Sequence, residues 1–402
     1  MSDPGTREQQ AAGDPPEGRR PSLLPRSIAS WLVALTPWSA TLLLTAVARS
    51  APETVESLYS RGLYPGVAQA VAQAAHGWAA LTGSELRGGP FLSLSEAGLL
   101  AMAVVGCWAL RRGWRQGGAG AVARQVLAAS GGGALVFLLL WGLNYSRLPL
   151  AVSLELEASG VTAAELDRVA ADLEAQLAVD LEGLDRVERA TEPAAALRAA
   201  RDAWRQASER EPSLGVGTGV LAGVLAGVLV RPALSGAIVS GGISGIFSPF
   251  TQEAHVAGHL PEPDLLFTAC HELAHAQGWA REDEANYLAW RVGSRAADHS
   301  LRAAARLLAL AHVLGALGRA DRAVLVDRLE GLDPRIQEAL EERARFWDRE
   351  RSPAASRAAS AVNDAYLRSQ GQDGVASYGR MVDLLVAEWR AAGGTLPVGD
   401  PR

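Results

Sequence analysis

The run "IASWLVALTPWSATLLLTAVA", residues 28–48, decides the architecture of the N-terminal part of the chain. Its 21 residues carry no charge, and Arg26 and Arg49 flank it. A helix of this length crosses a hydrocarbon core of about 30 Å. A cleaved signal peptide would have a shorter apolar core and a less extended region before it. The run therefore predicts an uncleaved transmembrane helix, preceded by a disordered cytoplasmic tail over residues 1–27, which are rich in Pro, Gly, Glu and Arg.

Two further apolar runs follow in the first half of the chain. Residues 91–110 are apolar apart from Glu96 and several serines, and residues 126–143 carry no charge. Each run could instead be a buried helix of a soluble core, but three such runs close together favour membrane spans. We therefore expect transmembrane helices at 28–48, 91–110 and 126–143, followed by a single domain over residues 144–402.

The distribution of arginine predicts the orientation of these spans. The tail before the first run and the segment 111–125 are rich in arginine, whereas residues 49–90 are more acidic. Arg and Lys near a span favour the cytoplasmic side, so the tail and segment 111–125 are expected inside. Three crossings then place everything after about residue 144 outside. The chain is thus predicted to be a multi-pass protein of the cell (inner) membrane, in contact with the lipid bilayer, with an extracytoplasmic C-terminal domain.

The composition excludes several classes of protein. With 49% hydrophobic and 20% charged residues, the 402-residue chain is within the globular range. A net charge of -6, without basic tracts that alternate with aromatic residues, argues against binding to nucleic acid. Two cysteines, Cys107 and Cys270, with no CxxC pattern, argue against a disulfide framework, a redox motif or a zinc ribbon.

The region after residue 144 reads as mainly helical. Thr162 and Glu165 form a capping-box pattern that opens an amphipathic helix. Ala-rich and Leu-rich helical patterns run from Asp283 to about Leu317, from Asp321 to Glu330 and from Arg335 to Trp347, and a last helix covers Ser377–Arg390. Residues 237–250 predict a short strand and turn, and the Gly-rich residues 216–230 a buried helix or strand. The predicted fold class is mainly α: transmembrane helices, then a mostly helical domain with a short β element.

The stretch "CHELAHAQGWAREDEANYLAW", residues 270–290, contains the pattern that points to chemistry. On a helix, His271 and His275 project from the same face and can reach one cation. Glu272 can then act as the general base toward a zinc-activated water. Gly278 suits the end of that helix, because glycine adopts positive φ readily. The alternative is an ordinary surface helix with two histidines.

A catalytic zinc usually takes three protein ligands. The metzincin position for the third ligand, six residues past the second histidine, holds Arg281, which cannot ligate. The neighbouring acids are the candidates. Glu282 and Glu284 differ by about 200° around a helix, so only one of them can face the metal. Glu282 and Asn286 share a face.

Two resemblances extend this interpretation. Residues 282–286, Glu-Asp-Glu-Ala-Asn, resemble the Glu-x-x-Ala-Asp segment of gluzincin peptidases. That resemblance implies Glu282 as the third ligand and Asn286 as a residue that orients a ligand histidine, with Glu284 as the alternative ligand. Four blocks, residues 138–150, 240–256, 270–290 and 362–385, together resemble the bacterial membrane proteins grouped as domain of unknown function 3810. This second resemblance implies a membrane-anchored, zincin-like metallohydrolase.

Other residues are candidates for contact with substrate. Tyr378, Arg380 or His255 could donate to a tetrahedral oxyanion, although a structural role is favoured for each one taken alone. His255 and His259 are four apart, but Gly258 argues against a helix there, so a loop in the substrate cleft is expected. The segment before them, residues 245–250, could pair with an extended substrate as an edge strand.

The sequence predicts a membrane-anchored zinc metallopeptidase. Zn²⁺ is held by His271, His275 and Glu282, and Glu272 takes a proton from water as it attacks a carbonyl of a peptide or protein substrate. One alternative is a non-catalytic membrane protein whose zinc is structural or sensory; its site would be closed by a fourth ligand such as Glu253 or His255. Another is a zinc amidase that acts on cell-envelope material.

Overall fold

The structure, a computed structural model, describes residues 26–82, 92–184, 193–211, 214, 228–230, 235–372 and 380–398. Almost all of the predicted disordered tail, and most of the segment 216–230, lie outside these residues. Within them, helices dominate and three short strands form one sheet. The prediction of a mainly α protein with a short β element is confirmed.

The N-terminal part consists of long apolar helices. Helix α1 spans Arg26–Ser50, and a continuous helical segment follows it through Pro52–Thr54, a π-helical stretch at Val55–Leu63 and helix α2 at Tyr64–Thr82. Helix α3 spans Leu94–Leu140 and is interrupted once.

The interruption of α3 reverses the chain direction. Gly117 and Gly118 have non-helical backbone angles, and Gly118 has a φ of +59°. A Cβ atom built at Gly113 would collide with the side chain of Gln125. On a straight helix these residues would lie about 18 Å apart, so the two halves of α3 fold back on each other. Segment 111–125, expected as a loop, is therefore helical apart from its two-glycine break.

Helices α1 and α3 are long and apolar enough to cross a membrane, and only 11% of the most apolar window of each is buried. Large apolar side chains stand exposed along both helices, among them Val33, Leu42, Met102 and Val104. One helix of the domain, His299–Ala320, passes the same length and hydropathy criteria but is 72% buried. That helix therefore belongs to the domain core.

The domain that follows is a packed set of helices. A 3-10 turn at Gly142–Ser146 and a short helix at Leu150–Ser153 lead into it. The helices are α4 (Ala163–Leu184), α5 (Pro193–Arg210), a short helix at Ser235–Ser240, α6 (Glu262–Ala276), α7 (Glu282–Gly293), α8 (His299–Ala320), α9 (Arg322–Glu330), α10 (Pro334–Glu350), α11 (Pro353–Ser369) and α12 (Met381–Ala391).

The predicted start of α4 is confirmed in detail. Thr162 Oγ1 accepts a hydrogen bond from the backbone N–H of Glu165, and the Glu165 carboxylate accepts one from the backbone N–H of Thr162. Its apolar face is buried: Leu166, Val169, Leu173 and Leu177. The helical pattern expected from Asp283 to about residue 317 is divided into α7 and α8, because Asp298 caps a new helix by accepting from the backbone N–H of Leu301.

Helix α6 occupies the centre of the domain, packed by α5, α7 and α8. Its backbone is fixed by Trp204, whose indole N–H donates to the carbonyl of Cys270 at 2.9 Å. Complete burial of side chains such as Leu273 and Trp204 stabilises this packing by roughly 1.5–3 kcal/mol for each large apolar side chain.

The sheet lies against one side of α6. Its strands are β1 (Val228–Val230), β2 (Gly245–Ser248) and β3 (Glu253–Val256). The central strand β3 is parallel to β1 and antiparallel to β2, with Ile246 opposite His255. His255 is thus a buried strand residue and not part of a loop, because β3, which carries it, pairs with β2. His259 lies in the turn that follows.

Candidate metal centre

The two histidines lie in the last turns of α6, which a left-handed glycine ends. Gly278 has a φ of +81°, and its backbone N–H donates to the carbonyl of His275 at 2.9 Å. The next N–H, of Trp279, reaches back to the carbonyl of Ala274 at 3.1 Å. This reversal lets α7 begin at Glu282, so its first residue stands beside the last turn of α6.

Three potential ligand atoms converge at this junction. His271 Nε2 lies 3.1 Å from His275 Nε2 and 3.2 Å from the Glu282 Oε2 atom. The same oxygen lies 3.7 Å from His275 Nε2. Ligand atoms about 2.0–2.1 Å from a tetrahedral zinc ion are separated by about 3.3 Å. The spacing of the three atoms therefore fits such an ion.

The hydrogen bonds around His275 direct its lone pair to the same point. Its Nδ1 is 2.7 Å from the carbonyl oxygen of Trp279. That oxygen can only accept a hydrogen bond, so Nδ1 must carry the hydrogen. Nε2 then carries a lone pair unless the ring is charged. Burial alone lowers the pKa of His275, but the carboxylate of Glu282 outweighs it and raises the pKa to about 9. A positive charge is favoured at this position.

Glu282 supplies the negative charge of the cluster. Burial by itself raises the pKa of this carboxyl, but His275 and His271 more than reverse the effect and hold the pKa well below its usual range. When both imidazoles are neutral, they and the ionised carboxylate share a buried point at which each can accept. Acceptors repel one another unless a cation lies between them, so this donor set fits a metal ion.

Glu272 lies beside this cluster on the same helix. Its side chain is buried against β2, so closely that a Cβ atom at Gly245 would stand 2.5 Å from Oε1. Among the described residues, its Oε2 atom has no hydrogen-bond partner. Burial raises the pKa of Glu272 to about 7, against the opposing effect of the two histidines. A carboxyl with a raised pKa in a buried position suits proton transfer.

The other candidate acid, Glu284, faces elsewhere. Its Oε1 atom accepts from the backbone N–H of Leu150 at 2.7 Å and lies 3.9 Å from Arg281. It therefore caps the short helix at Leu150–Ser153. Of the two acids, Glu282 alone joins the histidine pair, while Asn286 is buried one turn later on α7.

The remaining candidates do not join this group. His255 is within 3.1 Å of Ser93 Oγ through Nε2 and within 3.0 Å of the Ile246 carbonyl through Nδ1. The neighbouring Glu253 accepts from the first N–H groups of α3. Arg380 lies 3.6 Å from Asp283 and is half exposed. Tyr378 lies outside the described residues.

Aromatic residues that the sequence did not single out surround the histidines. The rings of Trp141 and Phe247 lie 5.9 Å and 6.3 Å from that of His275. The hydroxyl groups of Tyr145 and Tyr366 are 2.9 Å apart. Burial raises the pKa of Tyr366, and the charge of Glu282 raises it further. Both tyrosines lie in sequence blocks that carry the family resemblance, the signal that could have identified them.

The carbonyl groups at the end of α6 are satisfied by residues outside the helix. Trp141 donates its indole N–H to His275, and Tyr64 donates its hydroxyl to Ala276, at 3.2 Å and 3.0 Å. Arg147 donates to the carbonyl of Gly278 at 3.0 Å and stacks 3.7 Å from the Trp279 ring. A cation at a helix C-terminus is favourable, so Arg147 stabilises the end of α6 on which His275 lies.

The model of one protein family, described as "Protein of unknown function (DUF3810)", matches residues 59–386. The matched range includes both histidines, Glu272, Glu282 and the surrounding aromatic residues. No curated protein and no solved structure matches the chain.

Proposed function

Since the chain belongs to the family of unknown function DUF3810, which provides no activity to transfer, we propose a function from the site itself: a membrane-anchored zinc hydrolase, and specifically a metallopeptidase. The observation that carries the proposal is the convergence of His271, His275 and Glu282 within metal-binding distance of one another. The carboxyl group of Glu272, on the same helix as the two histidines, completes the set of groups that water activation requires.

Each residue has a defined task in this proposal. His271, His275 and Glu282 hold Zn²⁺, which when bound acts as a Lewis acid that activates water and polarises a carbonyl group. Glu272 accepts a proton from the attacking water at Oε2, the oxygen that has no partner among the described residues, and passes it to the amine nitrogen as the peptide C–N bond breaks. Trp279 fixes the tautomer of His275 through its carbonyl group.

The surroundings of the cluster favour an extended peptide as the substrate. Strand β2 is an edge strand in the described sheet, and it passes Glu272 at Gly245. An edge strand can bind an extended peptide through its free backbone groups. His255 is not placed to donate to an oxyanion, because both of its ring nitrogens have other partners.

Among the alternatives, a closed structural zinc site receives less support. Its expected fourth ligands were Glu253 and His255, and both are engaged around the start of α3. The three-residue group formed by the described residues leaves a coordination position for water, as catalytic sites do.

Metal content tests the site directly. We expect near-stoichiometric zinc in the purified protein, loss of zinc in His271→Ala and Glu282→Ala, and retention in Glu272→Gln and Glu284→Ala. Hydrolysis should disappear in Glu272→Gln although zinc is retained. Loss of zinc in Glu284→Ala with retention in Glu282→Ala would reverse the choice of ligand. Absence of zinc from every form would refute the hydrolase.

We also propose that α1 and the two halves of α3 cross the membrane, with the domain outside. The Gly117–Gly118 break, with three arginines in the six residues before it and Arg124 after it, then lies in the cytoplasm. Alkaline phosphatase, which is active only in the periplasm, should be active when fused after Arg402. A silent phosphatase fusion together with an active cytoplasmic reporter at the same position would reverse this topology.

A further inference from the structure

The candidate metal centre lies directly against the end of an apolar helix. Trp141 follows Leu140, the last residue of α3, and its indole N–H donates to the carbonyl of His275 at 3.2 Å. One turn of α3 is also held from the side, because the hydroxyl of Tyr59 donates to the carbonyl of Leu139 at 3.0 Å. Only one side chain separates the end of this helix from the ligand-bearing turn of α6.

The end of α1 and the start of α3 also contact the domain near the candidate metal centre. Arg49, at the end of α1, donates to the carbonyl of Ser369 at 2.9 Å, in the helix that also carries Tyr366. At the start of α3, the backbone N–H groups of Leu94 and Ser95 donate to Glu253 on β3 at 2.9 Å and 2.7 Å. All three ends contact the elements that surround the centre, so the centre lies at the level where the helices leave the apolar zone.

Exposed apolar side chains occur in this layer too. Ile246 on β2 is 44% exposed and Phe250 just after it is 51% exposed. The ring of Phe250 lies 6.3 Å from that of Phe137, which belongs to the last turn of α3. Leu58 and Leu63, in the helical segment after α1, are 70% and 59% exposed. Apolar side chains of this kind are favourable in the interfacial layer of a bilayer, where tryptophan is also enriched.

From this arrangement we propose that the substrates are membrane-anchored polypeptides, cut in the segment next to their anchor. The inference rests on the proposed hydrolase function and on the proposed spans. An extended chain covers about 3.3 Å per residue, so about ten residues after an anchor suffice to reach a centre in the interfacial layer. A substrate anchored in the same bilayer is also presented at a high effective concentration.

The position of the centre can be measured without any activity. Ile246→Cys and Val326→Cys are matched sites for a nitroxide label, because the parent residues are 44% and 45% exposed. Val326 belongs to α9, which packs on α4 and α8. The labels are introduced in a Cys107→Ser background, in which the remaining Cys270 is buried.

In nanodiscs of phosphatidylethanolamine and phosphatidylglycerol, the label at 246 should show the high oxygen and low nickel-chelate accessibility of the interfacial layer. The label at 326 should behave as in water. Aqueous behaviour of both labels would overturn the inference, whatever the zinc content of the protein.

The class of substrate is tested with β-casein as an unfolded probe. One form is soluble, a second follows a single leucine-rich transmembrane helix directly, and a third follows that helix after a long Gly/Ser spacer. The full-length zinc-loaded protein shares a nanodisc with each anchored form, and Glu272→Gln serves as the inactive control. We expect the directly anchored casein to be cut at least about tenfold faster than the soluble form, within about ten residues of the anchor.

The spacer form separates position from local concentration. The inference would be overturned if the casein after the spacer were cut at the same rate as the directly anchored casein. It would also be overturned if the soluble casein were cut at that rate. Either result would leave the proposed peptidase activity intact. Failure to cut any form, despite bound zinc, would overturn both the inference and the peptidase. Release of lipid fragments with the casein intact would assign the site to a lipid substrate instead.

Discussion

Two regions of this molecule neutralise their buried acids in different ways. In the helical scaffold, Asp180 pairs with Arg302 and Arg306, which approach it from α8. Glu388 on α12 likewise pairs with Arg291 and Arg295. At the metal centre, by contrast, the charged neighbours of the buried Glu272 and Glu282 are the two histidines and each other.

The difference separates a region that permanent ion pairs stabilise from one that fits the proposed chemistry. A buried charge is costly unless it is paired, and arginine provides a permanent partner with several donors. Histidine provides a positive charge for a buried acid only when it is protonated. A neutral histidine and the acid need a cation that both can bind. The scaffold clusters are therefore complete within the protein, whereas under the proposed function the candidate centre reaches the same balance when it holds a metal ion. Buried acids without a fixed cation are typical of functional sites.

The largest effect on stability is expected for Asp180→Asn. The substitution leaves the guanidinium groups of Arg302 and Arg306 buried without a counter-charge, which should lower the free energy of unfolding by about 3–5 kcal/mol. For a domain of this size, the thermal midpoint should fall by roughly 10 °C. Asp202→Asn is the matched control, because its pair with Arg205 is exposed and contributes little. Equal midpoints for the two variants would remove the distinction between scaffold and surface pairs.

No loss of stability is expected for Glu272→Gln at the candidate metal centre. In zinc-free protein, Glu272→Gln removes a buried carboxyl that has no fixed cation, so the free energy of unfolding should stay equal or rise by up to about 3 kcal/mol. Thermal unfolding in the presence of a chelator measures this difference. A midpoint that falls as it does for Asp180→Asn would show that Glu272 belongs to the scaffold.

Much of the fold follows from local sequence signals. The apolar runs appear as exposed helices, and the Thr162–Glu165 capping box forms as predicted. Hydropathy alone does not separate α3 from α8, since both pass as membrane-length helices. What distinguishes α8 is its packing on α4, which buries it. That is a tertiary property, and no local window of sequence contains it.

The centre was predictable where its geometry is local. His271 and His275 are placed by helical periodicity, and the turn at Gly278 brings Glu282 to them. The contributions of Trp141, Tyr145 and Tyr366 were not predictable in this way. They come from elements more than a hundred residues before, or about ninety residues after, the motif, and only their contacts in the folded chain assign them to it.

Two neighbouring acids repeat the contrast on a smaller scale. Glu284→Ala should lower the free energy of unfolding by about 1–2 kcal/mol, because it leaves the N–H of Leu150 buried without an acceptor. Glu284→Gln keeps an oxygen for that N–H and should restore most of the loss. Glu282→Gln should remove zinc, and in the zinc-free protein at neutral pH it should also lower the free energy of unfolding, because it removes the carboxylate that the two histidines stabilise. Thermal midpoints and zinc content of the three proteins test the pair, and a loss of zinc in both Glu284 variants would contradict its structural role.

The smallest effect is expected for Trp141→Phe, at the contact between the two regions. The substitution keeps most of the ring that packs near His275 but removes the indole N–H that donates to its carbonyl. The loss of one such hydrogen bond should cost about 1 kcal/mol, and zinc affinity should fall about tenfold because the ligand is held less firmly. Competition with a fluorescent zinc chelator measures the affinity. Trp114→Phe, at an exposed position on α3, is the control and should leave it unchanged. Equal affinities in both variants would mean that α6 holds His275 in place without the helix end that touches it.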